Sequence, residues 1–367
     1  MNRFTIRVAF VFALISALFF SPAPVRSDNL ENPSGITARR AADFVHGVIE
    51  ASRTTYSQVI VDRLARSRTL QTTENWQRDN TLPLPAQFLR MSSQMSNQRG
   101  IGMRYRLMSL WPINPKNSPR SPTEKLGLEQ VAKNPGQPFT WVVQKNGMWF
   151  YEAIYPDKAV AESCASCHNH HPKSPKTNFK TGDVMGGIVI DLPLGRRFKK
   201  KPSSEIILRP EVVADYVHSV LQSDRAIYAK HVVDRLEKKG ILSASENWEK
   251  ENALMLPAQF LLNASRLIGK KNLGVDFQLI SLWPINSNNL PANEFERVGL
   301  ETVEYHPIRP YTGRMQVGRK LFFQSIYPDL AVVPACVECH NAHPKSQKRD
   351  FKLLDVMGGI VVTLPVN

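Results

Sequence analysis

Residues 74–89 read "ENWQRDNTLPLPAQFL", and residues 246–261 read "ENWEKENALMLPAQFL". The offset is 172. The same offset separates "SLWPIN" at Ser109 and Ser281, "IYPD" at Ile154 and Ile326, and "DVMGGIV" at Asp183 and Asp355. An offset that never drifts means that every connection between these anchors keeps its net length, so one folding unit is written twice. The stretch "GRRFKKKPSSEIILRP" (195–210) is basic, carries Pro and Ser, and reads as the join. A first domain is therefore expected over 28–196, a linker over 197–209 and a second domain over 210–367. A chain of 367 residues accommodates two domains of about 150 residues each.

Within each unit the hydrophobic period changes. From Thr37, apolar residues recur at helical spacing (Ala42, Val45, Ile49), which predicts one long helix or a broken pair. Pro85 stands where a second helix begins. After that, "MRYRLMSLWPIN" (103–114) looks extended, "FTWVVQKNGMWFYEAIYP" (139–156) looks like a hairpin around Asn146-Gly147, and "VMGGIVIDLPL" (184–194) is a closing strand. Helices followed by antiparallel strands predict an α+β domain, present in tandem.

Residues 1–27 read as an export signal. Arg3 and Arg7 precede an apolar run from Val8 to Phe20, too short to span a bilayer, and "SPAPVRS" (21–27) offers a cleavage site after Ser27. An uncleaved anchor is the alternative, and only that would tie the chain to the membrane. A periplasmic or otherwise extracytoplasmic protein is expected. That argues against nucleic acid as the partner of a chain with net charge +15, and leaves acidic proteins or anionic surfaces.

The chain has four cysteines, and all lie in two C-x-x-C-H motifs: Cys164, Cys167 and His168 in "ESCASCHNHHPKSP" (162–175), and Cys336, Cys339 and His340 in the second copy. This spacing is that of c-type haem attachment. Two thiols add to the two vinyl groups on one edge of the porphyrin, and the following histidine gives its imidazole to iron. Two covalent haems c are expected. The alternatives are a zinc site, a C-x-x-C redox pair and a structural disulfide.

The set "TYSQVIVDRL" and "YAKHVVDRL", "ENW", "LPAQF", "SLWPIN", "YPD", "CxxCHNxHP" and "DVMGGIV" resembles the PAS-like c-type haem domain, a family long catalogued as a domain of unknown function. The resemblance covers nearly all of both repeats. It implies a PAS-like antiparallel sheet flanked by helices, with one haem per domain, and supports haem binding more strongly than any named reaction.

For the second axial ligand, the duplication supplies a filter: a side chain used by both haems recurs at offset 172. Among nine histidines, His46/His218, His168/His340 and His171/His343 recur; among methionines, only Met185/Met357. His171 and His343 follow the proximal histidine too closely to cross the ring and are expected on a propionate or the backbone. His46 and His218, on the apolar side of the first helix, are the expected distal ligands, with Met185 and Met357, or an open or water-bound site, as the alternatives. Arg53 and Arg225, one heptad further along, are candidates for a haem propionate, against a plain surface charge. Tyr56/Tyr228, Trp76/Trp248 and Trp111/Trp283 read as core or pocket wall.

The expected function is single-electron transfer with redox partner proteins outside the cytoplasmic membrane. The alternative is haem-based sensing of redox state or a diatomic gas. With no output domain after the second closing strand, a sensor is expected to need a separate partner. No acid–base constellation argues for an enzyme.

Overall fold

The computed structural model describes residues 35–195, 201 and 205–366. The export signal expected over 1–27 and most of the expected linker lie outside the described residues.

Each repeat is a helical half followed by a four-stranded antiparallel sheet. The first opens with β1 (Ile36–Thr37) and α1 (Ala38–Thr54), where the Thr37 hydroxyl caps the helix by accepting from Arg40 N at 3.2 Å. The expected long helix is unbroken but changes pitch. A π-helical stretch (Thr55–Asp62) follows α1 directly and returns as Tyr228–Asp234 in the second repeat. Such insertions gather at functional sites. Next come α2 (Pro85–Gln98), started by Pro85 at N1, β2 (Arg104–Met108), α3 (Pro122–Lys133), β3 (Phe139–Lys145), β4 (Met148–Lys158), α4 (Glu162–His170) and β5 (Val184–Gly195). The sheet order is β2-β5-β4-β3. The expected hairpin turns at Asn146 and Gly147, both at positive φ (50° and 74°), as a primed turn requires.

The second repeat runs β6 (Ile207–Leu208), α5 (Pro210–Ile227), α6 (Pro257–Gly269), β7 (Asp276–Ile280), α7 (Glu294–Tyr305), β8 (Tyr311–Val317), β9 (Lys320–Leu330), α8 (Pro334–Ala342) and β10 (Val356–Val366), with sheet order β7-β10-β9-β8. Part of the expected linker is thus structured: β6 pairs antiparallel with β1, matching Ile36 to Leu208 and Thr37 to Ile207.

The repeats share their core. One apolar cluster takes Val45 and Val48 from α1, Val217 and Val220 from α5, and Tyr105, Ile190, Phe277 and Val362 from the two sheets. A second is built on a ladder of rings through the pseudo-two-fold: Tyr56 stacks on Phe88 at 4.3 Å, Phe88 meets its own equivalent Phe260 at 6.0 Å, and Phe260 stacks on Tyr228 at 4.8 Å. Charges cross the same interface in exchange-symmetric pairs. Arg63 donates to Ala253 O and lies 4.8 Å from the Trp248 ring, while Arg235 donates to Thr81 O and lies 4.9 Å from the Trp76 ring. Trp76 and Trp248 therefore face the arginines of the opposite repeat.

One carboxyl sits badly in this interface. Asp224 is 2% exposed, faces the hydroxyls of Ser52 and Ser92, and has one oxygen without a partner. Burial pushes it up to about 7. An unfolded aspartate releases its proton near pH 4, so the folded state holds a proton that the unfolded state has lost between about pH 4 and 7. This group's contribution is full below that window and falls by about 4 kcal/mol as pH rises through it. Asp224→Asn is expected to remove that slope. Urea unfolding at pH 4, 6 and 8 should show the variant gaining on the parent as pH rises; parallel curves would contradict the assignment.

Candidate haem attachment sites

The C-x-x-C-H residues occupy a helix in both repeats. On α4, Cys164 and Cys167 are three residues apart and His168 is one turn beyond Cys164, so all three share one face. On α8, Cys336, Cys339 and His340 do the same. All four thiols are unpaired; Cys164 and Cys336 are half-buried, and Cys167 and Cys339 are exposed. Burial raises Cys164, Cys167 and Cys339, so these thiols stay protonated. Among the described residues, no group of three or more His, Cys, Asp or Glu side chains converges to hold a metal ion. A zinc site would need four such donors in one place.

In the second repeat α8 forms one wall of a cavity of about 1060 Å³, at the upper end of small-molecule sites (roughly 300–1000 Å³). Cys336, Cys339 and His340 line it, opposite Leu261 of α6 and Phe277 and Leu279 of β7. Two recurring features hold α4 and α8. Asn169 exchanges two hydrogen bonds with the backbone of Phe179, both at 2.9 Å, and Asn341 does so with Phe351 at 2.9 and 3.0 Å. The same phenylalanines meet the imidazoles edge-on, each 5.9 Å from His168 or His340. At the start of β10, a Cβ on Gly358 would stand 2.3 Å from Ile280 O, so only glycine lets the strand lie against β7 beside the cavity.

Both imidazoles are held towards the neutral form. Burial, then Arg225 and His343, hold His340 down to about 4; burial, then His171 and Arg53, lower His168. The Nδ1 atom of His168 is buried without a partner.

The expected distal groups are placed differently. His218 stacks flat on Tyr327 at 3.8 Å, and His46 on Tyr155 at 4.0 Å. Each is kept neutral, first by burial, to about 3 and about 4 respectively, and each leaves Nε2 buried and unpartnered. His218 does not line the cavity; its only histidines are His340 and His343. Met357 does line it but packs against Phe351, Trp283 and Cys336, on the side from which His340 meets Phe351. Met185 has the equivalent place against Phe179, Trp111 and Cys164.

The residue that reaches the cavity from the first helix is the arginine. Arg225 forms a buried ion pair with Asp329, and both line the cavity; Arg53 pairs with Asp157 in the first repeat. Burial raises Asp329 and Asp157, and the guanidinium opposes it. The arginines are neither surface charges nor left with all their donors for a propionate. Their partners are the aspartates of the repeated "YPD", which sequence reasoning quoted but gave no role. His171 and His343 meet the backbone, accepting from Lys173 N and Lys345 N at 3.1 and 3.2 Å, and their Nε2 atoms lie 3.4 Å from Glu74 and Glu246 of the repeated "ENW". Trp283 is pocket wall, as expected.

The Tll0287-like family model matches residues 35–193 and again residues 203–365. No curated protein and no solved structure gives a match. With nearly the whole chain matched in two copies that share the repeated motifs and the repeated C-x-x-C-H helix, the chain belongs to the Tll0287-like family and carries its domain twice.

Proposed function

We propose that each repeat binds one haem c covalently and that the protein transfers single electrons between partners outside the cytoplasmic membrane. The observation that carries this reading is the placement of Cys336, Cys339 and His340 on one helix face at the wall of a cavity of about 1060 Å³ with a mixed apolar and polar lining. Cys336 and Cys339, like Cys164 and Cys167, would form the thioethers, and His340 and His168 would hold the iron. When bound, the group supplies a reversible one-electron couple. The chain's own residues keep the ligand imidazole neutral, clamp the attachment helix through Asn169 and Asn341, and place a buried Arg–Asp pair at the cavity.

A second reading, binding of a diatomic gas, is favoured by one specific observation. The side chain that the first helix delivers to the cavity is Arg225 and not His218. The unpartnered Nε2 of His218 favours the first reading, because ligation would satisfy it. Absorbance with and without carbon monoxide separates the two. Electron transfer with His46 and His218 as ligands predicts low-spin reduced protein that resists carbon monoxide, and His46→Ala and His218→Ala variants that bind it. Fast binding by the parent would overturn bis-histidine ligation and put gas binding first. Unchanged low-spin spectra in the alanine variants would remove these two histidines as ligands.

A further inference from the structure

The offset that filters histidines also filters positive charge. Three lysine pairs recur at offset 172: Lys173/Lys345, Lys176/Lys348 and Lys180/Lys352. All three lie in the loop between the attachment helix and the closing strand. Two arginine pairs recur, and both are committed within the fold: Arg53/Arg225 to buried aspartates and Arg63/Arg235 to the interface between repeats. Elsewhere a basic charge recurs only as an Arg–Lys exchange, at positions 66/238, 78/250, 99/271 and 125/297.

The loop fixes the backbone at each of these lysines with a side chain that also recurs. His171 Nδ1 accepts from Lys173 N, the Ser174 hydroxyl donates to Lys176 O at 2.7 Å, and Asp183 accepts from Lys180 N at 2.8 Å. In the second repeat His343, Ser346 and Asp355 do the same for Lys345, Lys348 and Lys352, at 3.2, 2.7 and 2.7 Å. The ammonium groups are mostly left over. Those of Lys173, Lys180, Lys345 and Lys352 make no ion pair among the described residues. Lys176 lies 4.3 Å from the Trp111 ring, and Lys348 lies 5.4 Å from Trp283 while pairing with Asp350, whose counterpart in the first repeat is Asn178. Lys345 and Trp283 line the same cavity as Cys339, as do Glu237 and Glu246, so one lysine of the second loop stands at the cavity where the exposed Cys339 lies.

Ordinary solvated lysines need no such arrangement. Their flexible stems lose entropy only when something holds them, and a fixed backbone under each one presents a set geometry of charge at reduced cost on binding. We infer that the three lysines of each attachment loop form a docking face for an acidic protein surface, one face per repeat. That the docked protein is an electron donor or acceptor rests on the function proposed above; the face itself does not. A lipid surface fits less well. The exposed apolar pair beside the second loop, Leu353 and Leu354, is Thr181 and Gly182 in the first, so the charges recur and an apolar insertion does not.

The test uses the full haem-loaded chain with an acidic flavodoxin as probe, measured by calorimetry at about 20 mM and about 200 mM salt, since such a contact weakens as the Debye length shortens. Changing all six lysines to Gln should weaken binding at least tenfold at low salt. A control with Lys116, Lys125, Lys133, Lys250, Lys270 and Lys320 changed to Gln should lose less than threefold. Changing one loop alone should lower the stoichiometry from two to one. Equal losses in both six-fold variants would reduce the effect to net charge and overturn the inference, as would undiminished flavodoxin binding. Loss of binding to phosphatidylglycerol vesicles with flavodoxin binding intact would also overturn it, in favour of lipid. Absorbance of the same samples reports haem independently. Two haems without the lysine effect sinks the docking face alone; the lysine effect in protein without haem sinks the redox reading alone.

Discussion

Asp329→Ala is expected to lower the free energy of unfolding by about 3–5 kcal/mol, a large part of the roughly 5–15 kcal/mol that holds a typical fold. Arg225 and Asp329 have side chains only 8% and 9% exposed. Removing the carboxylate leaves a guanidinium with no counter-charge in a site where its Nε already lacks a partner. The loss measures the desolvation of a stranded charge more than the worth of the pair. Arg225→Met should therefore cost less, because the remaining carboxyl is already pushed upward by burial and can take a proton. The double change Arg225→Met/Asp329→Leu should recover most of the loss, as apolar replacement of buried pairs does elsewhere. Asp157→Ala should repeat the result in the first repeat. Urea unfolding at pH 7 supplies the numbers. A loss under about 1 kcal/mol for Asp329→Ala would mean that water in the cavity serves the guanidinium as well as the aspartate does.

His340→Met is expected to raise the reduction potential of one haem and leave the other nearly unchanged, because a methionine ligand favours the reduced iron relative to imidazole. His168→Met should do the same to the other. The two C-x-x-C-H helices stand between strands of different sheets, and each imidazole meets a phenylalanine of its own repeat, so the two sites proposed here would not share a ligand. The shared core does not couple them through a common ligand. Spectroelectrochemistry should resolve one shifted and one unshifted step. Loss of both haem spectra in soluble, folded protein would contradict two independent sites.

Local signals in the sequence carried well into the fold, and long-range ones did not. The hairpin at Asn146-Gly147, the helix begun by Pro85 and the closing strand were readable because turn chemistry, Pro at N1 and β-branched runs act within a few residues. "SLWPIN" was read as extended, yet the strand stops at Met108 and Ser109 turns the chain by donating to Met185 O. The helix Pro122–Lys133 had its signal in Ser121, which caps Glu124 N, but went unread. The C-x-x-C-H helix α4 is nine residues of Cys, His, Ser, Asn, Ala and Glu with no hydrophobic period to read.

Recurrence at offset 172 picks out pairs of residues but not their depth. His218 and Arg225 share a helix face, since seven residues return within about 20° of the start, but they lie roughly 10 Å apart along the axis. Periodicity fixes the face and says nothing about which turn meets the cavity. The sharing of one core by two repeats was equally silent, because an apolar stripe does not record whose stripe will cover it.

The most direct test of the central claim is the intact mass of the chain after maturation in a host that attaches c-type haem. The account predicts a chain heavier by two haems that survive acidic solvent extraction, falling to one when Cys336 and Cys339 are both changed to Ala and to one again when Cys164 and Cys167 are. A colourless chain at its unmodified mass, or one whose four cysteines hold zinc or pair as disulfides, would contradict it.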